Sequence, residues 1–243
     1  MKAKDNSRNN EKIIKGKTTV LSLGGSLIAP DDVDTDFLKD FVKIVNTFVN
    51  KGNKLIIVCG GGGTNSRYNK KAKEISSGRI INDEDLDWLG IAATKLNAEL
   101  LRVIFGDAAY ERVLQSPNET FDTDKKIVIA SGWKPGWSTD YDAVLLAINS
   151  GSERVINFTN IDYVYDKDPK KYKDAKKLEM LSWKEYLKIV GGKWEPRMNA
   201  PFDPIASKMA MEKGIKVFIV NGKKVENIRK VLLGEKVKGT IIG

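Results

Sequence analysis

Residues 54–68, with the sequence KLIIVCGGGGTNSRY, decide the fold of this chain. The apolar run 55–58 is typical of a strand that is buried on both faces of a parallel sheet. Glycines 60–63 follow at the carboxyl end of that strand, where backbone amides are accessible and a positive φ costs little. Thr64 is predicted to cap a helix that begins near Asn65. Because such amides and the helix dipole both attract negative charge, the segment predicts an anion-binding site.

The glycine run also has a simpler interpretation, which is a tight turn between a strand and a helix. Such a turn needs one or two glycines, and four in succession exceed that requirement. The two common nucleotide motifs do not fit. GxGxxG needs a third glycine where Asn65 stands, and the P-loop needs Gly-Lys followed by Ser or Thr.

Other strands of the chain end in glycine loops as well. The β-rich run 18–23 ends at Gly24, Gly25 and Ser26, and the apolar run 126–131 leads into the loop 132–137. Helices are predicted at 35–51, 64–77, 83–105 and 225–233, and at segments that open with Ser138-Thr139-Asp140 and with Asp203-Pro204. Further strands are predicted at 154–159, 215–220 and 240–242.

This alternation of strands and helices predicts a three-layer α/β fold with a mainly parallel central sheet. Ligands of such sheets bind beyond the carboxyl ends of the strands, which is where the glycine loops are expected. We expect one domain at 17–243, preceded by a disordered basic tail at 1–16.

Composition excludes several classes of function. The 243 residues contain no histidine and a single cysteine, Cys59, so histidine bases, histidine metal sites and disulfide frameworks are excluded. The formal net charge is +9, but the lysines are dispersed, so we expect small polyanions as partners and no nucleic acid. The chain has no apolar run of membrane-spanning length and no signal peptide at its start, so a cytoplasmic location is expected.

Six motifs occur in register along the chain. They are LSLGGSL (21–27), VCGGGGTNSRY (58–68), DWLGIAATKLNA (87–98), GWKPGWSTDYDA (132–143), TNIDYVYDKDP (159–169) and FDPIASK (202–208). Together they resemble the amino acid kinase superfamily, and within it the uridylate (UMP) kinases of the archaeal type. The resemblance implies transfer of a phosphoryl group from Mg-ATP to UMP. It also implies a homo-oligomer, hexameric or dimeric, with the acceptor site in the N-terminal part of the chain and the ATP site in the C-terminal part.

The resemblance also implies roles for individual residues. Lys208 would neutralise charge on the transferred phosphoryl group, and Asp162 would orient this lysine and the Mg²⁺ ion. The UMP site would comprise Gly61, Gly62, Arg67, Asp87, Gly132 and Thr139, with Asp87 on the ribose and Thr139 on the phosphate. The ATP site would comprise Gly24, Gly25, Ser26, Thr159, Tyr165 and Asp168.

The chain departs from the family pattern at three positions. Ser22 stands where many relatives carry a lysine, Ser66 stands where an arginine is usual, with Arg67 beside it, and Tyr163 replaces a glycine. Two alternatives therefore remain open. One is a kinase of the superfamily with another acceptor, although the histidine that isopentenyl phosphate kinases use is missing. The other is a non-catalytic protein that binds nucleotides or oxyanions.

Overall fold

The computed structural model describes residues 18–191 and 200–243. The segment 1–16, which was predicted to be a disordered tail, lies outside the described residues. The strands are β1 (Thr18–Leu23), β2 (Lys54–Cys59), β3 (Ile127–Ala130), β4 (Arg154–Thr159), β5 (Val164–Tyr165), β6 (Lys177–Leu178), β7 (Met180–Leu181), β8 (Lys216–Asn221) and β9 (Gly239–Ile242). The helices are α1 (Gly25–Ile28), α2 (Thr35–Asn50), α3 (Gly62–Ile75), α4 (Asp83–Phe105), α5 (Thr139–Ser150), α6 (Trp183–Val190), α7 (Pro204–Lys213) and α8 (Val225–Leu233).

Seven strands form the central sheet in the order β3-β2-β1-β4-β8-β9-β7. The first five strands are parallel to one another, and β9 runs antiparallel to β8. The carboxyl ends of β3, β2, β1 and β4 therefore lie side by side at one edge. At that edge Ser22 of β1 is level with Val58 of β2 and Asn157 of β4. This register places the glycine loops next to one another, as the sequence predicts.

Successive side chains of each strand point to opposite faces of the sheet and so pack into two separate hydrophobic cores. Leu21 and Ile57 belong to the core that contains α2, α8 and the end of α4. Val20 and Ile56 belong to the core on the other face, which contains α5, α6 and α7. A sheet between two layers of helices confirms the predicted three-layer α/β fold, mainly parallel at its centre.

The observed start of α3 differs from the prediction. Gly61 occupies the N-cap position in place of Thr64, and the helix ends at Ile75. Gly62 has a φ of +59°, a conformation that glycine adopts at little cost, so the last two glycines of the run form the first turn of the helix. The sequence also failed to predict α6 and the short elements α1, β5, β6 and β7. No helix within 18–191 or 200–243 combines the length and the apolar character needed to cross a membrane.

Candidate active site

Two glycine turns touch through their backbones at the carboxyl ends of β1 and β2. A Cβ built on Gly25 would lie 2.2 Å from the nitrogen of Gly62, and one built on Gly63 would lie 1.5 Å from the carbonyl oxygen of Pro30. Hydrogen bonds fix the arrangement, since the N–H of Gly60 donates to Leu23 O at 2.9 Å. Any side chain at these positions would separate the turns, so this is where the glycine run is needed.

The helices that leave the two turns direct their N-termini to the same edge. Along α3 the first amide that donates to its own helix is that of Asn65, to Gly61 O at 3.2 Å. The amides of Gly61 and Gly62 precede it, and no side chain caps them. Uncapped N-terminal amides and the helix dipole bind anions, so the structure brings the predicted phosphate residues Gly24, Gly25, Gly61 and Gly62 into one site. Ser26 lies in α1, directly after them.

Arg67 lies on the exposed side of α3. Its guanidinium donates to the carbonyl oxygen of Asp31 and, at 3.4 Å, to Thr64 Oγ1. Ser66, which stands where an arginine is usual, donates from Oγ to Gly62 O at 3.3 Å. The guanidinium is thus held against the loop after α1.

Two carboxylates, Asp140 at the start of α5 and Asp203 at the N-cap of α7, lie together near the end of β1. Asp140 accepts hydrogen bonds from Ser22 Oγ at 3.1 Å and from the backbone N–H of Asp203 at 3.2 Å. Asp203 in turn accepts from Ser138 Oγ at 2.6 Å and caps α7 through the amides at its start. Ser22 therefore ties the end of β1 to the start of α5 through the carboxylate of Asp140.

Burial and the nearby charge of Asp203 together raise the pKa of Asp140 to about 7, because both disfavour a second negative charge. Sequence reasoning missed this pair. Asp140 and Asp203 are 63 residues apart, and the motifs that contain them indicated helix starts only. A buried polar cluster at the ligand edge is typical of a functional centre.

The acceptor residues meet between α4 and the loop that follows β3. The backbone N–H of Gly136 donates to Asp87 Oδ2 at 2.9 Å, and that of Gly132 donates to Thr94 Oγ1 at 2.8 Å. Beside them is a cavity of about 630 Å³, whose lining includes Asp87, Trp88, Lys134 and Trp137. Thr139, at the first position of α5, follows the same loop.

The predicted donor residues line a second cavity of about 630 Å³ beyond β4. Thr159, Tyr165 and Asp168 all contribute to its wall. Tyr163, the bulky ring in place of a glycine, lies in the same wall. Thr159, Tyr165 and Asp168, which the resemblance assigns to the ATP site, therefore line one space that is large enough for a nucleoside.

Asp162 binds a lysine that sequence reasoning did not single out. Its Oδ1 accepts from Lys224 Nζ at 2.6 Å and from Asn221 Nδ2 at 2.8 Å. The hydrogen bond from Lys224 is the largest cause that lowers the pKa of Asp162, and the hydrogen bond from Asn221 lowers it further. Lys224 lies between the end of β8 and the start of α8. It is 62 residues from Asp162 in sequence, and only the folding of the chain brings the two together. Lys208 lies exposed on α7, one turn after Asp203.

The fully buried carboxylate of Asp142 binds the backbone of the loop between β3 and α5. Asp142 Oδ2 accepts from the N–H of Trp133 at 3.1 Å, and its Oδ1 contacts no hydrogen-bond donor of the described residues. Burial raises the pKa of Asp142 to about 7.

Comparisons with known proteins extend over most of the chain. The profile of the amino acid kinase family matches residues 17–221. A uridylate kinase of Methanospirillum hungatei is 35% identical over 228 residues, which are 93% of this chain and 94% of the relative. One of Sulfurisphaera tokodaii is 35% identical over 216 residues, which are 86% of this chain and 93% of the relative. The crystal structure of uridylate kinase from Archaeoglobus fulgidus has a TM-score of 0.79 and 33% identity, and the match covers 93% of this chain and 99% of that chain.

Proposed function

The chain belongs to the amino acid kinase family, and from this premise we propose that it transfers the γ-phosphoryl group of ATP to UMP, giving UDP and ADP. The family resemblance and the kinase activity predicted from the six motifs agree with the curated relatives and with the solved structure. The chain is an ATP-dependent phosphotransferase of nucleoside monophosphates.

One observation carries this function, namely the contact between the glycine turns, with a cavity on each side along the sheet edge. The acceptor cavity follows β3, the glycine turns follow β2 and β1, and the donor cavity follows β4. This order suits two nucleotides that meet end to end through their phosphates. The backbone contact of Gly25 with Gly62 marks the meeting point. Phosphoryl transfer needs such positioning and charge stabilisation more than it needs a protein nucleophile.

The chain's own residues supply the electrostatic part of the reaction. A phosphate oxygen of UMP attacks the γ-phosphorus of ATP, and the bond to the ADP oxygen breaks. The amides of Gly25, Gly61 and Gly62 hold the phosphates at the helix N-termini, while the N–H of Gly24 donates to Phe158 O at 3.0 Å and anchors the first turn to β4. Lys208 stabilises the charge that develops on the transferred group, and Thr139 positions the acceptor phosphate.

The remaining assignments follow from the family resemblance, and Asp87, Thr159, Tyr165 and Asp168 also line the two cavities. Asp87 would hold the acceptor ribose, Arg67 and Gly132 would complete the UMP site, and Ser26 would contact the donor phosphates. Thr159, Tyr165 and Asp168 would contact the ATP nucleoside. Asp162 would act through Lys224, which it binds directly.

The carboxylate pair fits the Mg²⁺ ion that accompanies ATP in this family. Mg²⁺ binds through one or two carboxylates together with substrate phosphates and water, so the missing three-carboxylate cluster among the described residues is no obstacle. Asp140 and Asp203 would hold the ion, because repulsion between them helps to raise the pKa of Asp140 and a divalent cation relieves it. Bound there, Mg²⁺ would neutralise phosphate charge.

An acceptor screen tests the proposed function. ADP release from Mg-ATP is measured with UMP, CMP, glutamate, aspartate and N-acetylglutamate as separate acceptors. We expect release with UMP and formation of UDP. Phosphorylation of an amino acid with UMP inactive would show a different kinase, and ATP binding without any turnover would show a storage or binding protein.

A further inference from the structure

Asn97 is a buried polar side chain of α4 that the proposed reaction leaves unused. It is 3% exposed, and its Nδ2 donates to the carbonyl oxygen of Gly60 at 2.8 Å and to that of Gly61 at 3.4 Å. Asn97 also lies in the motif DWLGIAATKLNA (87–98), of which the proposed UMP site includes only Asp87. Because burial of an amide side chain is costly unless its hydrogen bonds are made, the contact with the glycine turn after β2 accounts for an asparagine at this position.

The four amides of the glycine run fall into two kinds. The first and the last, those of Gly60 and Gly63, donate to backbone carbonyls at 2.9 Å. Those of Gly61 and Gly62, between them, meet no acceptor among the residues that the structure describes. They stand at the N-cap and at the first position of α3, where the helix dipole favours an anion. These two amides are therefore the ones that would bind a phosphate.

The contact of Asn97 with the glycine carbonyls sets the direction of these two amides. A planar trans peptide places the carbonyl of one residue and the N–H of the next on opposite sides. A donor on α4 that holds Gly60 O therefore directs the N–H of Gly61 away from α4, and the contact with Gly61 O does the same for the N–H of Gly62. Donation to a carbonyl also polarises its peptide, which makes the opposite N–H a stronger hydrogen-bond donor.

The glycine run needs such a contact because glycine restricts the backbone so little. Peptides between glycines have no Cβ to limit φ and ψ, so a run of four has access to many conformations, including positive φ such as the +59° of Gly62. Asn97 is carried by a helix of 23 residues, and Ala98 beside it is fully buried. A side chain on a rigid support therefore limits a flexible run, which reduces the entropy that is lost when a phosphate binds.

We propose that Asn97 is a positioning residue, which orients the amides of Gly61 and Gly62 toward the phosphate of the acceptor and toward the phosphoryl group that is transferred. The inference rests on the proposed function and deepens it, because it names a group that shapes the same phosphate site. Asn97 acts through the two peptides whose carbonyls it binds, and not through contact with a substrate.

A merely structural role makes a different prediction. Asn97 would then only satisfy two buried carbonyls, and its loss would lower the melting temperature without changing what the phosphate contributes to binding. The positioning role predicts a selective loss, in which UMP binds more weakly while uridine, the same nucleoside without the phosphate, binds as before. The ratio of the two dissociation constants therefore separates the two roles.

The test measures Kd for UMP and for uridine by calorimetry, together with the rise in melting temperature that inorganic pyrophosphate produces. Asn97→Leu keeps the size of the side chain and removes the donor, and Asn97→Ala decides if the leucine variant does not fold. The control is Ala98→Gly. This variant lowers the stability of α4 through helix propensity at the neighbouring buried position and removes no side-chain hydrogen bond.

We expect Asn97→Leu to reduce the ratio of Kd for uridine over Kd for UMP about tenfold, the scale of one hydrogen bond to a charged group, with Kd for uridine unchanged. Pyrophosphate should raise the melting temperature of this variant by roughly half as much as that of the wild type, or less. Ala98→Gly should keep the wild-type values of both quantities.

An unchanged ratio in the Asn97 variants, or an equal fall in Ala98→Gly, overturns the positioning role while the kinase activity stands. A wild-type protein that binds UMP no better than uridine overturns the UMP assignment of the proposed function itself. The pyrophosphate measurement uses no nucleotide, so it then decides the role of Asn97 alone. An equal rise in melting temperature in the wild type and in Asn97→Leu overturns that role.

Discussion

At the scale of single residues, the positive charge around the phosphates is distributed differently from the family pattern. Ser22, where the resemblance implies a lysine, donates to Asp140, and Ser66 stands where the resemblance implies an arginine. Lys208 follows the Asp203 cap, and Lys224 is held by Asp162 at the donor side. We therefore expect the two lysines to have separable effects on turnover and on donor binding.

The Lys208→Ala variant should lose kcat with little change in the KM of either nucleotide. Removal of one preorganised group that stabilises transition-state charge typically costs about 3 to 4 kcal/mol, or roughly 10²- to 10³-fold in kcat. Lys208→Arg should restore little of the lost kcat, because a planar guanidinium does not replace a compact ammonium. Steady-state kinetics would contradict this role if Lys208→Ala kept more than about a tenth of the wild-type kcat.

The Lys224→Ala variant should weaken the binding of ATP and leave that of UMP unchanged. We propose that the Lys224 ammonium, held by Asp162, contacts the donor phosphates, and loss of one such charged contact corresponds to roughly tenfold in KM for ATP. Its melting temperature should barely change, since an ion pair between half-exposed side chains contributes about 0 to 1 kcal/mol. Lys223→Ala is the matched control. Equal effects of the two variants on ATP would remove Lys224 from the donor site.

The Asp142→Asn variant should change the pH dependence of stability. Burial raises the pKa of Asp142 to about 7, so between about pH 4 and pH 7 the folded protein keeps a proton that the unfolded chain releases. Wild-type stability therefore falls as pH rises through this window, by about 4 kcal/mol from this group. Asparagine does not ionise, so thermal melts should show stabilisation at pH 8 and none at pH 4. Asp85→Asn, at an exposed position of α4, serves as control, and an equal pH response of both variants would contradict the assignment.

At the scale of elements, hydrophobic periodicity and turn signals predicted most of the fold. The bounds of β1, α4, β4 and α8 were predicted as observed. The eight-residue helix α6 was missed, although Ser182 and Glu185 form a capping box that is visible in the sequence. The glycine turns of the site were predicted from single segments. The contacts of Asp140 with Asp203 and of Asp162 with Lys224 were not, because spacing along a chain does not show which strand ends are neighbours.

The close contact of the two glycine turns predicts that Gly25→Ala is severely damaging. The added methyl group would lie 2.2 Å from Gly62 N and 2.4 Å from Gly60 O, so both turns must move apart. Gly52→Ala is the comparison. Gly52 has a φ of +88°, and a Cβ built there would meet no atom within 4 Å. This substitution should therefore cost only the backbone strain, about 1 to 2 kcal/mol. Calorimetry should show a larger loss for Gly25→Ala, with activity abolished. An active Gly25→Ala enzyme would mean that the turns need not touch.

At the scale of the whole molecule, one face is left uncovered by the residues that the structure describes. The 14-residue helix α3 has no buried residue, and the apolar side chains Tyr68, Ile75, Leu96 and Val103 are exposed on α3 and α4. Exposed apolar side chains along a helix pair are typical of an interface. This surface is therefore the place where we expect copies of the chain to associate into the dimer or hexamer that the resemblance implies.

The double variant Leu96→Glu/Val103→Glu should dissociate such an oligomer. Charges placed on an apolar interface are costly to bury, so light scattering after size-exclusion chromatography should show a smaller mass than for the wild type. Lys39→Glu on α2 is the control for added negative charge. A wild-type protein that is monomeric at the concentrations used for assay would contradict the assignment of this face.

The position of Cys59 has a practical consequence for measuring motion. Its side chain is fully buried in the sheet and burial raises the pKa of its thiol, so the thiolate that reacts with maleimides is suppressed. Since Cys59 is the only cysteine of the chain, fluorophores can be attached to cysteines introduced on the surface without removing the native one. Positions Glu84 and Lys170, in the walls of the acceptor and donor cavities, would form a dye pair for single-molecule distance measurements in a chain that is otherwise wild type.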